Sequence, residues 1–193
     1  MTSTIVFLHI PKTAGQTIHN ALVPAVGGEA HVSPVRVHTQ APNGPQMPAG
    51  YSLYSGHIDW TELETLPKDR FVFTVLRDPR ERIASFFLYL EKEAKGLSGR
   101  ELALPQNTGK KRMLEQSADE YFIGGDKPWQ RFIRDHYDNF YCTYFATRMM
   151  RGTKLVENLT QDALLAQAKA GLAEMDAVYS VDDLGWLETD IEA

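Results

Sequence analysis

The stretch Phe7-Leu8-His9-Ile10-Pro11-Lys12-Thr13-Ala14-Gly15-Gln16-Thr17 decides how this chain is read. A short apolar run, Ile5 to Ile10, has the length and composition of a buried strand, and it passes directly into a turn of small residues carrying one lysine and two threonines. Gly15 allows a close backbone approach. Thr17 is placed to cap a helix whose first amides and positive dipole end face an anion. Lys12 adds a full positive charge. The segment Lys12, Thr13, Ala14, Gly15, Gln16 and Thr17 therefore reads as a phosphate cradle.

Its spacing differs from that of the common nucleotide triphosphate loop. That loop has two glycines with four residues between them, the second followed directly by Lys-Ser/Thr, whereas here the lysine precedes the glycine and no Gly-Lys-Thr occurs. A second junction of the same kind follows at Arg70 to Leu76, an apolar strand leading into Arg77-Asp78-Pro79. Beyond it Ile83, Phe86, Phe87 and Leu90 fall on one helical face. Pro79 suits the first helical turn and Asp78 the cap before it. Two separated anion sites suit a ligand with phosphates at two positions, and a guanidinium suits bidentate phosphate contact.

The first segment resembles the 5′-phosphosulfate loop of sulfotransferases that use 3′-phosphoadenosine-5′-phosphosulfate (PAPS), in particular the branch related to heparan sulfate 2-O-sulfotransferases and bacterial carbohydrate sulfotransferases. Only Gln16 departs from the usual loop. The second resembles the 3′-phosphate element of the same family, a strand ending in Arg-Asp-Pro with a serine eight residues after the arginine, which are Arg77 and Ser85 here. The resemblance implies a P-loop-like parallel β-sheet flanked by helices, PAPS as donor with PAP as product, no metal, and an acceptor hydroxyl on a glycan or glycoconjugate. It assigns cofactor contacts to Lys12, Thr13, Ala14, Gly15, Gln16, Thr17, Arg77 and Ser85. It is specific at these two elements, moderate at Gly56-His57 and weak over roughly the last 80 residues.

Length and composition fit that outline. A chain of 193 residues with 43% hydrophobic content can bury a substantial core, and its length favours one domain spanning residues 1–193. No repeat, low-complexity tract or membrane-length apolar run interrupts it, and the N-terminal apolar run is too short for a signal peptide. The single cysteine, Cys142, lies among aromatic residues and reads as a buried thiol. These features give a cytoplasmic expectation. A formal net charge of −5 argues against nucleic-acid binding, which favours a basic chain. The chain ends soon after its last predicted strand, so a shortened C-terminal part is also expected.

The order of predicted elements is strand, loop, helix, a long excursion over residues 24–50 with a short strand at Val35 to His38, then strands at Tyr51 to Ile58 and Phe71 to Leu76. Residues 91–112 are polar, contain Gly96, Gly99 and Gly109, and read as a mobile loop facing the acceptor. Residues 117–150 read as mostly helical. A later helix begins near Thr160, with Leu164, Ala168, Leu172 and Met175 on one face, and Ala177 to Val181 reads as a final strand. Strands separated by crossover helices give an α/β fold with ligands at the carboxyl ends of parallel strands.

Sulfuryl transfer to an alcohol is an in-line displacement that needs positioning, charge stabilisation at the leaving oxygen and a base for the acceptor proton. His57, in Tyr54-Ser55-Gly56-His57-Ile58-Asp59-Trp60, stands at a strand end beside a glycine and is the candidate base. The Gly-His pair also resembles the family's catalytic-histidine segment. A turn histidine bonded to a carbonyl or to Asp59 is the plainer alternative. His9 reads as a support for the loop. Lys12 is the candidate for stabilising the leaving oxygen. Arg82 is assigned either to the phosphate or to Asp78 or Glu81, Lys110-Lys111-Arg112 to a solvated charge run rather than to the acceptor, and Arg148 only weakly to substrate. Histidines and cysteine show no metal-ligand spacing. Two other functions fit the same loops: an atypical nucleotide-dependent kinase or transferase, and a PAP/PAPS-binding module without turnover.

Overall fold

The structure is a computed structural model that describes residues 4–192. Four strands form one sheet in the order β2-β1-β3-β4, every pairing parallel. They are β1 (Thr4–Leu8), β2 (Leu53–Gly56), β3 (Arg70–Leu76) and β4 (Ala177–Ser180). The helices are α1 (Gly15–Ala25), α2 (Pro79–Lys95), α3 (Gly99–Leu102), α4 (Thr108–Glu115), α5 (Ala118–Ile123), α6 (Lys127–His136), α7 (Phe140–Thr147), α8 (Thr153–Val156), α9 (Gln161–Leu172) and α10 (Gly185–Glu192). The fold is α/β, as the sequence predicts, with helices flanking a parallel sheet.

The chain divides into two compact units, one containing the residues up to Arg77 together with those from Asn139 onward, the other Asp78–Asp138. The first unit holds the sheet. Side chains alternate across a strand, so Val6 and Leu8 face one way and Phe7 the other. Val6, Leu8, Tyr54 and Val72 cluster with Phe140, Tyr144 and Phe145 of α7 and Ala168 of α9. Phe7, Leu53, Phe73 and Val75 cluster with Ile18 and Leu22 of α1 and Leu187 of α10. Burial on both faces explains why β1 and β3 read as nearly continuous apolar runs.

The second unit is helical around an aromatic core of Tyr121, Trp129 and Tyr137, against which Ile83, Phe86, Phe87 and Leu90 of α2 pack. Those four are the face the helical spacing predicts. Asp78 caps α2, accepting from the amides of Arg80 and Glu81 at 2.9 and 3.2 Å. Arg82 is only 2% exposed and donates to the carbonyl of His136 at 2.7 Å, so its guanidinium belongs to this core.

Two expectations about local structure are corrected. Residues 91–112 are not a loop: α2 continues to Lys95, and α3 and α4 follow. Ser98 starts α3 with a capping box, its hydroxyl accepting from the Glu101 amide while the Glu101 carboxylate accepts from the Ser98 amide. Nor do Val35 to His38 form a strand. Val37 makes one isolated parallel bridge to His57, because the Gln40 side chain accepts from the amides of Arg36 and Val37 and folds the chain into a 3-10 turn at His38–Gln40.

Candidate active site

Parallel pairing sets the carboxyl ends of β1, β2 and β3 along one edge of the sheet. Leu8 is in register with Gly56 of β2 and with Thr74 of β3. His9, His57 and Arg77 therefore emerge from neighbouring strands on the same side, where ligands bind in open α/β sheets.

The loop after β1 is tightly built. Lys12 and Ala14 both take positive φ, 75° and 61°, a region that non-glycine residues enter at a cost of about 1 kcal/mol or more each. Thr13 between them is fully buried and its hydroxyl donates to the Ile10 carbonyl at 2.8 Å, which anchors the turn. Left-handed turns of this kind aim successive amides into one concavity. Helix α1 starts at Gly15 with Ala14 as its N-cap, and no side chain caps it. No acidic residue occupies its first turn. The first bond of the helix runs from the Ile18 amide to the Ala14 carbonyl, so the amides of Gly15, Gln16 and Thr17 precede the helical ladder.

Several residues of the cradle act differently from the expectation. Thr17 lies in the first turn of α1 and is not its cap. The Thr13 hydroxyl donates inward, and the Gln16 side chain donates to Asn20 one turn along at 2.8 Å. Backbone amides, more than side-chain hydroxyls, are thus what the turn presents. Gly15 has a packing reason as well: a Cβ there would lie 1.8 Å from His9 Nε2, so the helix starts directly against the imidazole.

Lys12 and Arg77 stand at this edge. Burial lowers the proton affinity of the half-buried Lys12, and the charge of Arg77 lowers it further, so the lysine and arginine sense one another across the mouth of the sheet. Arg77 follows β3 and is half-buried. Its amide donates to the Tyr141 hydroxyl at 3.2 Å, and that hydroxyl donates to its carbonyl at 2.9 Å. Ser85, the other predicted phosphate contact, lies half-buried on α2 in the second unit.

His57 follows β2, its ring centroid 4.3 Å from that of His9. His9 also stacks on Phe7 at 5.4 Å, which fits its predicted supporting role. Asp59 is engaged elsewhere, accepting from the Met150 amide at 2.7 Å. The Nε2 atom of His57 is buried and has no hydrogen-bond partner among the described residues. Burial pulls the His57 imidazole down to about 4, with smaller contributions from His38 and Arg36, and burial pulls His9 down to about 3. Both rings are neutral at pH 7, and a neutral imidazole has one nitrogen able to take a proton.

A family model described as the sulfotransferase family matches residues 2–164. The chain belongs to the sulfotransferase family. No curated protein matches it. As a sulfotransferase it is a transferase of sulfuryl groups, and the parallel sheet flanked by helices is consistent with that family's fold.

The remaining candidates in this sulfotransferase belong to packing and surface charge. Arg148 pairs with Glu174 at 2.5 and 2.6 Å and lies over the Trp60 ring at 4.7 Å, which ties it to the core. Lys110 pairs with Glu93 at 3.6 Å, Lys111 with Glu115 at 3.9 Å, and Arg112 covers Trp129 at 4.6 Å. Cys142 is partly buried against the first unit's core. Among the described residues no group of three His, Cys, Asp or Glu side chains could hold a metal ion, and no helix is long and apolar enough to cross a membrane.

Sequence reasoning did not single out Arg36, His19, His38 or Tyr141, which support the site. Arg36 donates to His19 Nε2 at 2.6 Å, and His19 Nδ1 meets the Ser55 hydroxyl at 3.1 Å. An acceptor Nε2 makes His19 the Nδ1-protonated tautomer, in keeping with the lowering of its proton affinity by burial and then by Arg36. The available signal was histidine count: six in the chain, four of which gather here.

Proposed function

We propose that this sulfotransferase moves the sulfuryl group of PAPS to a hydroxyl on a glycan or glycoconjugate. The observation that carries the proposal is the shared sheet edge, which presents an uncapped helix start with Lys12 and Arg77 beside a buried imidazole nitrogen lacking a hydrogen-bond partner. The two positive-φ residues and the acid-free first turn suit a multiply charged anion, so the residues present fit the donor.

PAPS supplies an activated sulfuryl group joined through oxygen to its 5′-phosphate. The amides of Thr13, Ala14, Gly15, Gln16 and Thr17 hold the 5′ end. Arg77 would take the 3′-phosphate, which a guanidinium suits, and the resemblance of the Arg-Asp-Pro segment assigns Ser85 to the same role. His57 Nε2 takes the proton of the acceptor hydroxyl. Lys12 would stabilise the oxygen that gains negative charge on the donor, an interaction stronger in the transition state than before it. Negative charge bound in the cradle would raise the proton affinity of His57 above its ligand-free value of about 4. The glycan acceptor rests on the family branch that the loop resembles, and a cytoplasmic location is supported by the single cysteine, Cys142.

Transfer of radiolabelled sulfate from PAPS to a panel of glycan and small-molecule hydroxyls tests the proposal. Wild type labels at least one acceptor. His57→Ala lowers the rate by about 10²-fold or more, and Lys12→Ala by a similar factor. Labelling that survives in His57→Ala at the wild-type rate removes this histidine from the chemistry.

A further inference from the structure

Arg36 lies on the turn that runs alongside the end of β2, and it touches the peptide chain on both sides of Gly56. Its Nε donates to the Ser55 carbonyl, and its own carbonyl accepts from the His57 amide at 2.8 Å. The fit leaves no room between them, since a Cβ on Gly56 would lie 2.2 Å from the Arg36 carbonyl oxygen. The next turn residue continues the grip, the His38 amide donating to the His57 carbonyl at 2.7 Å. On the far side, Arg36 Nη1 donates to His19, which is held in turn by the Ser55 hydroxyl. Among the described residues no carboxylate lies within ion-pair distance of the Arg36 guanidinium.

We propose that Arg36 is a positioning residue for His57, bonding the chain on both sides of Gly56 directly before the imidazole and setting a full positive charge beside it. This inference rests on the reading of His57 as the base. An arginine is suited to the task because its planar fork bonds a carbonyl and an imidazole at once and never gives up its proton. A lysine could supply the charge but not the paired contacts.

The charged and titratable surroundings agree. His57 is faced by His9 from the end of β1 and by His38 and Arg36 from the turn, and the last two lower its proton affinity after burial itself. His38 is in turn influenced by Arg151, which lowers its proton affinity, and by Asp59, which raises it. Glu29 acts on Arg36 in the opposite sense to burial. Of these groups, Arg36 alone joins a permanent charge to direct contacts with the segment that carries His57.

The test uses the full chain with Arg36→Gln and Arg36→Lys, following the His57 imidazole by NMR titration, assigned against His57→Gln, and the pH profile of kcat/KM for sulfate transfer. With Arg36→Gln the His57 titration moves to higher pH, the acid limb of kcat/KM moves with it, and kcat falls about tenfold or more while KM for PAPS is unchanged. Arg36→Lys keeps the titration near the wild-type position and recovers only part of kcat. An unmoved His57 titration in a folded Arg36→Gln protein overturns the inference. A titration that moves while the kcat/KM profile stays fixed upholds the placement of Arg36 and removes His57 as base, so the two readings fail separately.

Discussion

The hydroxyl of Tyr141 closes on both polar groups of the Arg77 backbone, donating to the carbonyl at 2.9 Å and accepting from the amide at 3.2 Å. An arginine at a strand end is thereby held by a residue 64 positions later, at the start of α7. Tyr141→Phe removes that clasp and keeps the ring. A neutral hydrogen bond contributes about 1 kcal/mol, so PAP binding weakens about fivefold, read by calorimetric titration, with thermal stability falling by a similar small amount. Unchanged PAP affinity in Tyr141→Phe separates the clasp from the ligand.

Gly15→Ala is expected to cost far more than its single methyl implies. The new Cβ meets the His9 ring at 1.8 Å, and that ring is already wedged between Phe7 and His57. Overpacking of this kind costs about 1–3 kcal/mol, and the helix start must shift away from the sheet edge. Thermal denaturation should show the loss of stability and titration the loss of PAP affinity. A variant with wild-type values in both contradicts the packing of α1 against His9.

The buried histidines predict a pH dependence of stability. Unfolded, His9 and His57 titrate near 6.5; folded, they titrate near 3 and near 4. Between those values the unfolded chain binds more protons, so stability rises with pH. It is complete above about 6.5 and falls as the pH drops, levelling for His57 near 4 and for His9 near 3. Thermal midpoints measured from pH 7 to 4 should decline, and His57→Gln should decline less steeply. A flat wild-type profile over that window contradicts the burial of both rings.

Arg148 gives the opposite kind of prediction. It pairs with Glu174, covers Trp60 and accepts the Trp60 amide on its carbonyl at 2.9 Å. Arg148→Ala loses the ion pair and the ring contact, about 1 kcal/mol of stability by chemical denaturation, while PAP affinity stays at the wild-type value. A selective loss of PAP affinity would return Arg148 to the binding site.

What the sequence makes legible follows from how strongly each segment is constrained. β1 and β3 are buried on both faces, so their apolar runs stand out, and Asp78 and Thr160 announce α2 and α9 because capping requires short polar side chains. The stretch after α2 is harder because its helices are short and polar. Composition points to a loop there, yet Ser98 to Glu101 and Ser117 to Glu120 carry the capping-box spacing that marks helix starts. In the site, Lys12, Arg77 and His57 are visible because each sits at a strand end next to a turn residue. Arg36, His19 and Tyr141 are not, because their roles arise from contacts 17 to 64 residues apart that no local spacing encodes.

The most direct measurement of the central claim is calorimetric titration of PAP, ADP and ATP into the wild type and Arg77→Ala. The 3′-phosphate distinguishes PAP from ADP and ATP, so PAP should bind more tightly than either, and Arg77→Ala should lose most of that preference, about 2 kcal/mol for a charged hydrogen-bonded contact. Equal affinities for PAP and ADP in the wild type, or no PAP binding at all, would contradict the assignment of PAPS as donor.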